Sequence, residues 1–428
     1  MHEPNAYSRR IFIRQGVMLA SFAASLPHFL QESAVGMLAA DGASVGNRPG
    51  VPDERILVVV QLSGGNDGLN CLVPYGDREY HAARPNLALG EPGKPKNGGA
   101  ALELDAALGL GLHPNLTGLK ELHDSGNLCV VPGVGYPNPN RSHFASMDIW
   151  QTGRPDGKGT GWLGRYVDAA CNGNPQADMA VAVGRTAPPA LMGATAKPVA
   201  FESPELFRWL GSDKGAMDAE YQRMVRAGAL PGVEPGSQES FLMRTALDAQ
   251  VTSDRIRAAV RKQPLVSYPG SALAKQLQTV AAMIRDGMKT RVYYVSMGGF
   301  DTHANQPNQH GNLMRQFGDA MLAFQKDLKA QGNDGRVVTM CFSEFGRRVK
   351  QNASNGTDHG TAGPVFLVGP RVQAGIRGKH PSLTDLDGGD LKFVTDFRGV
   401  YQELLGKWMR APTEKVLGGK YAAPALLA

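Results

Sequence analysis

The chain has 428 residues, 42% of them hydrophobic and 20% charged, with a formal net charge of +6. That length suits one large α/β domain or two smaller ones. The positive charge is spread without a long basic run, which argues against a nucleic-acid surface, and the four widely spaced cysteines form no zinc–thiolate pattern.

The N-terminal segment is specific. Ser8-Arg9-Arg10-Ile11-Phe12-Ile13-Arg14 precedes a modest apolar stretch, Gly16 to Leu30, broken by Ser21, Ser25 and Pro27. Paired arginines before a short, weakly apolar segment predict a twin-arginine export signal over residues 1–40. The alternative is an ordinary amphipathic helix. The segment is too short and interrupted for a stable membrane span. The reading implies contact with the twin-arginine export machinery and a periplasmic or extracellular location. It also hints at a metal loaded before crossing. Residues 41–54 form a Gly-, Ser- and Pro-containing linker, and a single α/β domain covers 55–425.

The first strand runs Ile56 to Leu62 and ends in Ser63-Gly64-Gly65-Asn66-Asp67-Gly68. Glycines there let the backbone turn sharply. Asp67 is either a ligand for a cation or a turn aspartate satisfying its loop. Residues 74–112, polar and rich in Pro and Gly, predict surface loops. A helix follows to His123, with Leu116, Leu119 and Leu122 at helical spacing. The strand Asn127 to Val134 leads to Arg141-Ser142-His143-Phe144 and a helix over Ser146 to Trp150. Ser142 and His143 thus stand at a strand-to-helix turn, where N–H groups can cradle an anion and Arg141 adds charge. Ser142 is equally a helix cap. A strand is expected over Ala177 to Val183. Residues 187–290 read as a mainly helical insertion, with helices at Pro204 to Leu210, Ala216 to Ala227, Phe241 to Arg261 and Ala272 to Asp286.

Val292 to Met297 is the next strand and ends in Gly298-Gly299-Phe300-Asp301-Thr302-His303. A helix over Leu313 to Ala330 carries a core-facing stripe of Met314, Phe317, Met321 and Phe324. Val337 to Phe342 then repeats the arrangement: an apolar strand, then Ser343-Glu344-Phe345-Gly346-Arg347, then a polar loop delivering Asp358-His359-Gly360. The run Pro364 to Val368 closes it, and Asp396 caps a last helix ending near Trp408. Strand–helix alternation predicts a mostly parallel sheet flanked by helices, whose strand ends are where ligands bind. Twice a buried strand ends in a turn bearing an acid and a histidine. Asp67, Asp301, His303, Glu344, Asp358 and His359 are therefore the candidate ligands of one or two divalent ions such as Zn²⁺, Mn²⁺ or Ca²⁺.

The motifs Leu62-Ser63-Gly64-Gly65-Asn66-Asp67-Gly68, Arg141-Ser142-His143-Phe144, Gly299-Phe300-Asp301-Thr302-His303, Ser343-Glu344-Phe345-Gly346-Arg347 and Gly356-Thr357-Asp358-His359-Gly360 resemble the DUF1501 family of exported proteins. That family in turn resembles, more distantly, the alkaline phosphatase and sulfatase superfamily. The resemblance implies an alkaline-phosphatase-like fold, bound metal and a nucleophile at a helix N-terminus. Counting back from Trp150, Thr152 and Gly153 puts that nucleophile at His143, with Ser142 beside it. His359, with Thr361-Ala362 and Gly369-Pro370 after it, resembles the superfamily's last metal histidine and the strand that follows. The expected activity is hydrolysis of a small anionic ester, a phosphate or sulfate. Ser142 or His143 would attack or orient water, and Arg141 or Arg347 would neutralise the substrate. The alternative is a non-catalytic exported protein that binds a ligand or helps assemble a complex on the same fold.

Overall fold

The structure, a computed structural model, describes residues 55–171, 177–203 and 252–428. Strand β1, Ile56–Leu62, is buried along its whole length. The others are β2 (Leu128–Gly135), β3 (Ala180–Val183), β4 (Val199–Phe201), β5 (Val292–Met297), β6 (Val337–Phe342), β7 (Gly363–Val368), β8 (Gly375–Ile376) and β9 (Thr395–Asp396). They form a nine-stranded sheet in the order β8-β2-β7-β6-β1-β5-β3-β4, with β9 also pairing β2. β1 runs parallel to β5 and β6, β3 parallel to β5, and β8 and β9 parallel to β2. β7 is antiparallel to both neighbours, β6 and β2.

Helices cover both faces of this sheet, so its strands are apolar on both sides rather than alternating. The principal helices are α1 (Thr117–Asp124), α2 (His143–Thr152), α3 (Trp162–Ala170), α4 (Ala272–Arg285), α5 (Gln306–Ala330) and α6 (Phe397–Glu403). One face sends Leu57, Val59, Tyr294, Val338 and Met340 into a core with Trp150, Trp162 and Tyr401. There Trp150 stacks between Phe342 and Phe397, and Trp162 lies flat on Tyr401 at 3.9 Å. The other face meets α5: Cys341 Sγ lies 3.9 Å from Met321 Sδ, and Phe317 packs near Phe366. The period-2 alternation of strand side chains assigns neighbouring residues to opposite cores.

Several expectations change. Residues 74–112 are not merely surface loops. They contain the helix Arg78–Ala83 and a small sheet of Leu72–Val73, Leu102–Asp105 and Leu110–Leu112. Val73, Tyr75, Tyr80 and Leu89 build a second apolar cluster there. α5 begins at Gln306, seven residues before the expected start at Leu313, because its first turns present polar side chains to the site. The mainly helical reading of 187–290 fails at its start, which is a 3₁₀ turn, Pro189–Leu191, and the strand β4. It holds at α4. The helices expected over Pro204 to Leu210, Ala216 to Ala227 and most of Phe241 to Arg261 lie outside the described residues. No helix among the described residues is long and apolar enough to cross a membrane.

The topology decides where polar groups gather. β1, β2, β5 and β6 are co-directional, so the loops after all four leave one edge of the sheet. β7 runs against them, so the loop before it arrives at that same edge. The loop after β6 is also the one that enters β7, so four loops meet where ligands bind in such sheets.

Candidate metal centre

Asp301, in the loop after β5, is the focus of the cluster. Its Oδ1 lies 2.9 Å from His303 Nε2, 3.2 Å from His359 Nε2 and 3.5 Å from His143 Nε2. His303 Nε2 and His359 Nε2 are 2.9 Å apart. His143, Asp301 and His359 each offer one donor atom, all within 4.8 Å of one another. These ligands come from the loops after β2, β5 and β6.

Each ring is fixed from behind. His143 Nδ1 donates to Glu344 Oε1 at 2.7 Å, and His303 Nδ1 to Asp358 Oδ1 at 3.2 Å. His359 Nδ1 donates to the carbonyl of Arg141 at 2.8 Å. Carboxylates and carbonyls accept only, so each Nδ1 bears a proton. The Nε2 atoms all point inward, toward Asp301 Oδ1. His143 Nε2 is buried and has no hydrogen-bond partner. Nitrogens and a carboxylate oxygen this close are held by shared protons or by a cation among them. Tetrahedral ligands at ~2.1 Å from an ion stand roughly 3.4 Å apart, close to the upper part of the observed 2.9–3.5 Å span. The donor set therefore fits a divalent ion, and partners holding Nδ1 are how metal-binding histidines are oriented.

Charge is balanced from inside by Arg347. Burial raises the Asp301 carboxyl, but the Arg347 hydrogen bond and charge, with His359 and His303 adding, hold it down at about 2. Arg347 was expected to face an anionic substrate, and the structure places it otherwise. It is fully buried. Its Nε donates to Gly65 O, Nη1 to Thr357 O, and Nη2 to Gly64 O, Phe300 O and Asp301 Oδ1. Every donor but one Nη1 N–H is thus spent on the protein's own oxygens. Nη1 also lies 3.3 Å from His303 Nε2, so the guanidinium fills the inner side of the cluster.

The remaining candidates separate. Glu344, 1% exposed, stands behind His143 and also accepts from Gly64 N at 2.9 Å. Asp358 stands behind His303. Both orient ligands instead of joining them. Asp67 is remote from the cluster in contacts: its buried Oδ2 pairs with Arg84 at 2.6 Å and accepts from Gln306. Burial raises the Asp67 carboxyl, but Arg84 outweighs it and the net shift is downward. Arg141 pairs with Asp390 at 2.6 Å and serves His359 through its carbonyl. Ser142 occupies the N-cap position of α2 but its side chain makes no cap bond. His143, read from sequence as a nucleophile, instead directs Nε2 into the donor set. Ser146, one turn on, was missed. Its hydroxyl donates to Glu344 O at 2.6 Å and locks α2 against that loop. Its signal was the three-residue spacing from His143, which puts both on one helix face.

A cavity of about 310 Å³ lies beside the cluster, lined by Tyr136, Asn138, Phe345, Asp387, Lys392 and Phe393 among others. Phe345 forms the shared wall, its ring packed 4.8 Å from His143 and 5.1 Å from His359.

The profile described as "Protein of unknown function (DUF1501)" matches residues 54–420. The chain belongs to the DUF1501 family. No curated protein matches it. Among solved structures, this DUF1501 chain is similar to PsFucS1 sulfatase from Pseudoalteromonas sp., at 10% identity and TM-score 0.38, over 93% of this chain and 77% of that one. It is also similar to Ps i-CgsB in complex with k-i-k-neocarrahexaose, at 11% identity and TM-score 0.36, over 86% of this chain and 72% of that one.

Proposed function

We propose that this is an exported, metal-dependent hydrolase acting on a phosphate or sulfate ester, with one divalent ion. The observation carrying it is the convergence of three Nε2 atoms on Asp301 Oδ1, each ring held by an acceptor at Nδ1. His143, His303, His359 and Asp301 would hold the ion. Imidazole and carboxylate suit Zn²⁺ or Mn²⁺ better than Ca²⁺, which prefers oxygen. Arg347 supports a count of one, since its guanidinium already occupies the inner side. When bound, such an ion supplies Lewis acidity toward the oxygens of an anionic ester.

The chain's own groups do the rest. Glu344, Asp358 and Arg141 O keep the ring protons on Nδ1. The side chains of Asp301 and His303 are 48% and 43% exposed, so the cluster is reachable from solvent. The cavity beyond Phe345 would take the organic part of the ester, with Phe393 offering an apolar face and Asn138 and Lys392 polar contacts. Export through the twin-arginine route belongs to the same proposal, supported by Arg9-Arg10 ahead of the short apolar stretch. Lysines at both positions should keep a reporter fusion inside the cell.

Metal analysis of the full chain tests the centre. The native protein should carry about one ion per chain, and Asp301→Ala and His359→Ala should carry none. Native protein without metal would overturn the reading. A non-catalytic, ligand-binding role is the second reading, favoured because Ser142 makes no bond that would activate it. Tight metal binding without turnover of aryl phosphates or sulfates would select it.

A further inference from the structure

Gln306 opens α5 and is completely buried. Its Oε1 accepts two hydroxyls, Thr302 Oγ1 at 3.2 Å and Thr357 Oγ1 at 2.6 Å. Its Nε2 donates to Asp67 Oδ2. Asp67 in turn is clamped by Arg84, whose Nε and Nη2 donate to Val349 O and Arg348 O at 2.9 and 2.8 Å. The placement is pointed. Thr302 lies between Asp301 and His303, and Thr357 immediately precedes Asp358 and His359. Between these two loops the backbone contributes three bonds: Asn305 N to Ser354 O at 3.1 Å and Gln306 N to Asn355 O at 2.9 Å lie at the far end of the loop, and beside the ligands there is only Thr357 N to Thr302 O, a long 3.3 Å. Next to the ligands themselves, one side-chain amide thus bonds to both segments that deliver Asp301, His303 and His359. The amide's orientation is unambiguous, because hydroxyls donate to one end and a carboxylate accepts from the other.

We propose that Gln306, held by the Asp67–Arg84 pair, is the positioning residue that sets the spacing of the two ligand loops and so the affinity of the metal centre. The inference rests on the metal reading above. It assigns Asp67 the task of aiming Gln306 in place of touching an ion. Removing the amide leaves two buried hydroxyls without a partner and Asp67 Oδ2 with Arg84 alone, and the loops relax apart by more than a ligand set tolerates.

The test uses the full chain and three variants: Gln306→Leu, the shape-keeping pair Thr302→Val/Thr357→Val, and the hydroxyl-keeping pair Thr302→Ser/Thr357→Ser. Zn²⁺ and Mn²⁺ dissociation constants are read by competition with a chromophoric chelator. Gln306→Leu and the valine pair should bind on the order of 10–100-fold more weakly, and the serine pair should stay near native. Binding within twofold of native in Gln306→Leu, or a serine pair as weak as the valine pair, overturns the proposal and leaves the metal centre standing. Hydrogen exchange on metal-free protein separates the two ideas. If native chain binds neither ion, the metal reading fails on its own. Faster exchange of the Gln306 and Thr357 amides in the valine pair then sustains the loop-setting role, and unchanged exchange overturns it.

Discussion

Glu344 sits where a strand-end carboxylate would be expected to face a cation, yet its oxygens are turned to the protein. Oε1 takes the N–H groups of Gly64 and His143. Glu344→Gln would keep the shape but replace an acceptor by an amide. His143 would then be free to carry its proton on Nε2, inside the donor set. The variant should fold and bind metal roughly 10–100-fold more weakly, measured by chelator competition. Ser142→Ala, by contrast, should leave both metal affinity and the unfolding midpoint unchanged, within about 0.5 kcal/mol. A loss of turnover in that variant alone would restore Ser142 as nucleophile. Asp301, His303 and His359 were legible in the sequence because each ends or precedes a recognisable strand. The second tier was not. An acid next to a histidine can bind the ion or bind the histidine, and only the direction of the side chain separates the two. Arg347 was misread for a related reason: a guanidinium spent on backbone carbonyls looks, in sequence, like one available to a substrate.

At the scale of elements, the loop after β1 shows what the strand ends require. Gly64 and Gly65 have φ of +116° and +67°. A Cβ on Gly64 would lie 2.6 Å from Asp301 N, while the carbonyls of both glycines receive Arg347. The turn must be left-handed and must let another loop touch its backbone, and glycine alone does both. Gly64→Ala should cost about 1–3 kcal/mol from backbone conformation, more if the Asp301 loop is displaced. Urea unfolding would measure it, with loss of metal binding alongside. The five long strands were legible because burial on two faces leaves uninterrupted apolar runs; of the sixth expected, Ala177 to Val183, the first three residues are a 3₁₀ turn and only Ala180–Val183 is strand. The reversed direction of β7 was not, since its composition is that of a parallel strand. The cluster of Val73, Tyr75 and Tyr80 was hidden by glycine- and proline-rich flanks, and the start of α5 by polar residues that look inward.

Considered as a whole, the molecule holds two histidines that do not serve the centre yet weigh on its stability. His310, in α5, is completely buried and its Nε2 donates to Asn66 Oδ1 at 2.9 Å; Nδ1 has no partner. Burial pulls its pKa down from 6.5 to about 4, against the Asp67 carboxylate and with Arg84 and Arg347 adding repulsion. His113 packs edge-on against it, 5.6 Å away, and is pushed down to about 3, again chiefly by burial. Both are neutral in the folded protein at pH 5, whereas the unfolded chain is protonated there. The unfolded state thus binds more protons below pH 6.5, and folding stability must fall as pH drops from that value. For His310 the shift to about 4 corresponds to a loss on the order of 3 kcal/mol, complete once pH reaches about 4. Above pH 6.5 neither ring contributes any slope. His310→Gln can keep the bond to Asn66 and carries no titratable group. Urea midpoints followed from pH 7.5 to 4.5 should therefore fall more gently in this variant than in the native protein. Parallel curves would mean that His310 takes up its proton in the folded state as readily as in the unfolded one. That outcome would require water or a carboxylate at Nδ1, in contact with the same buried network that aims Gln306.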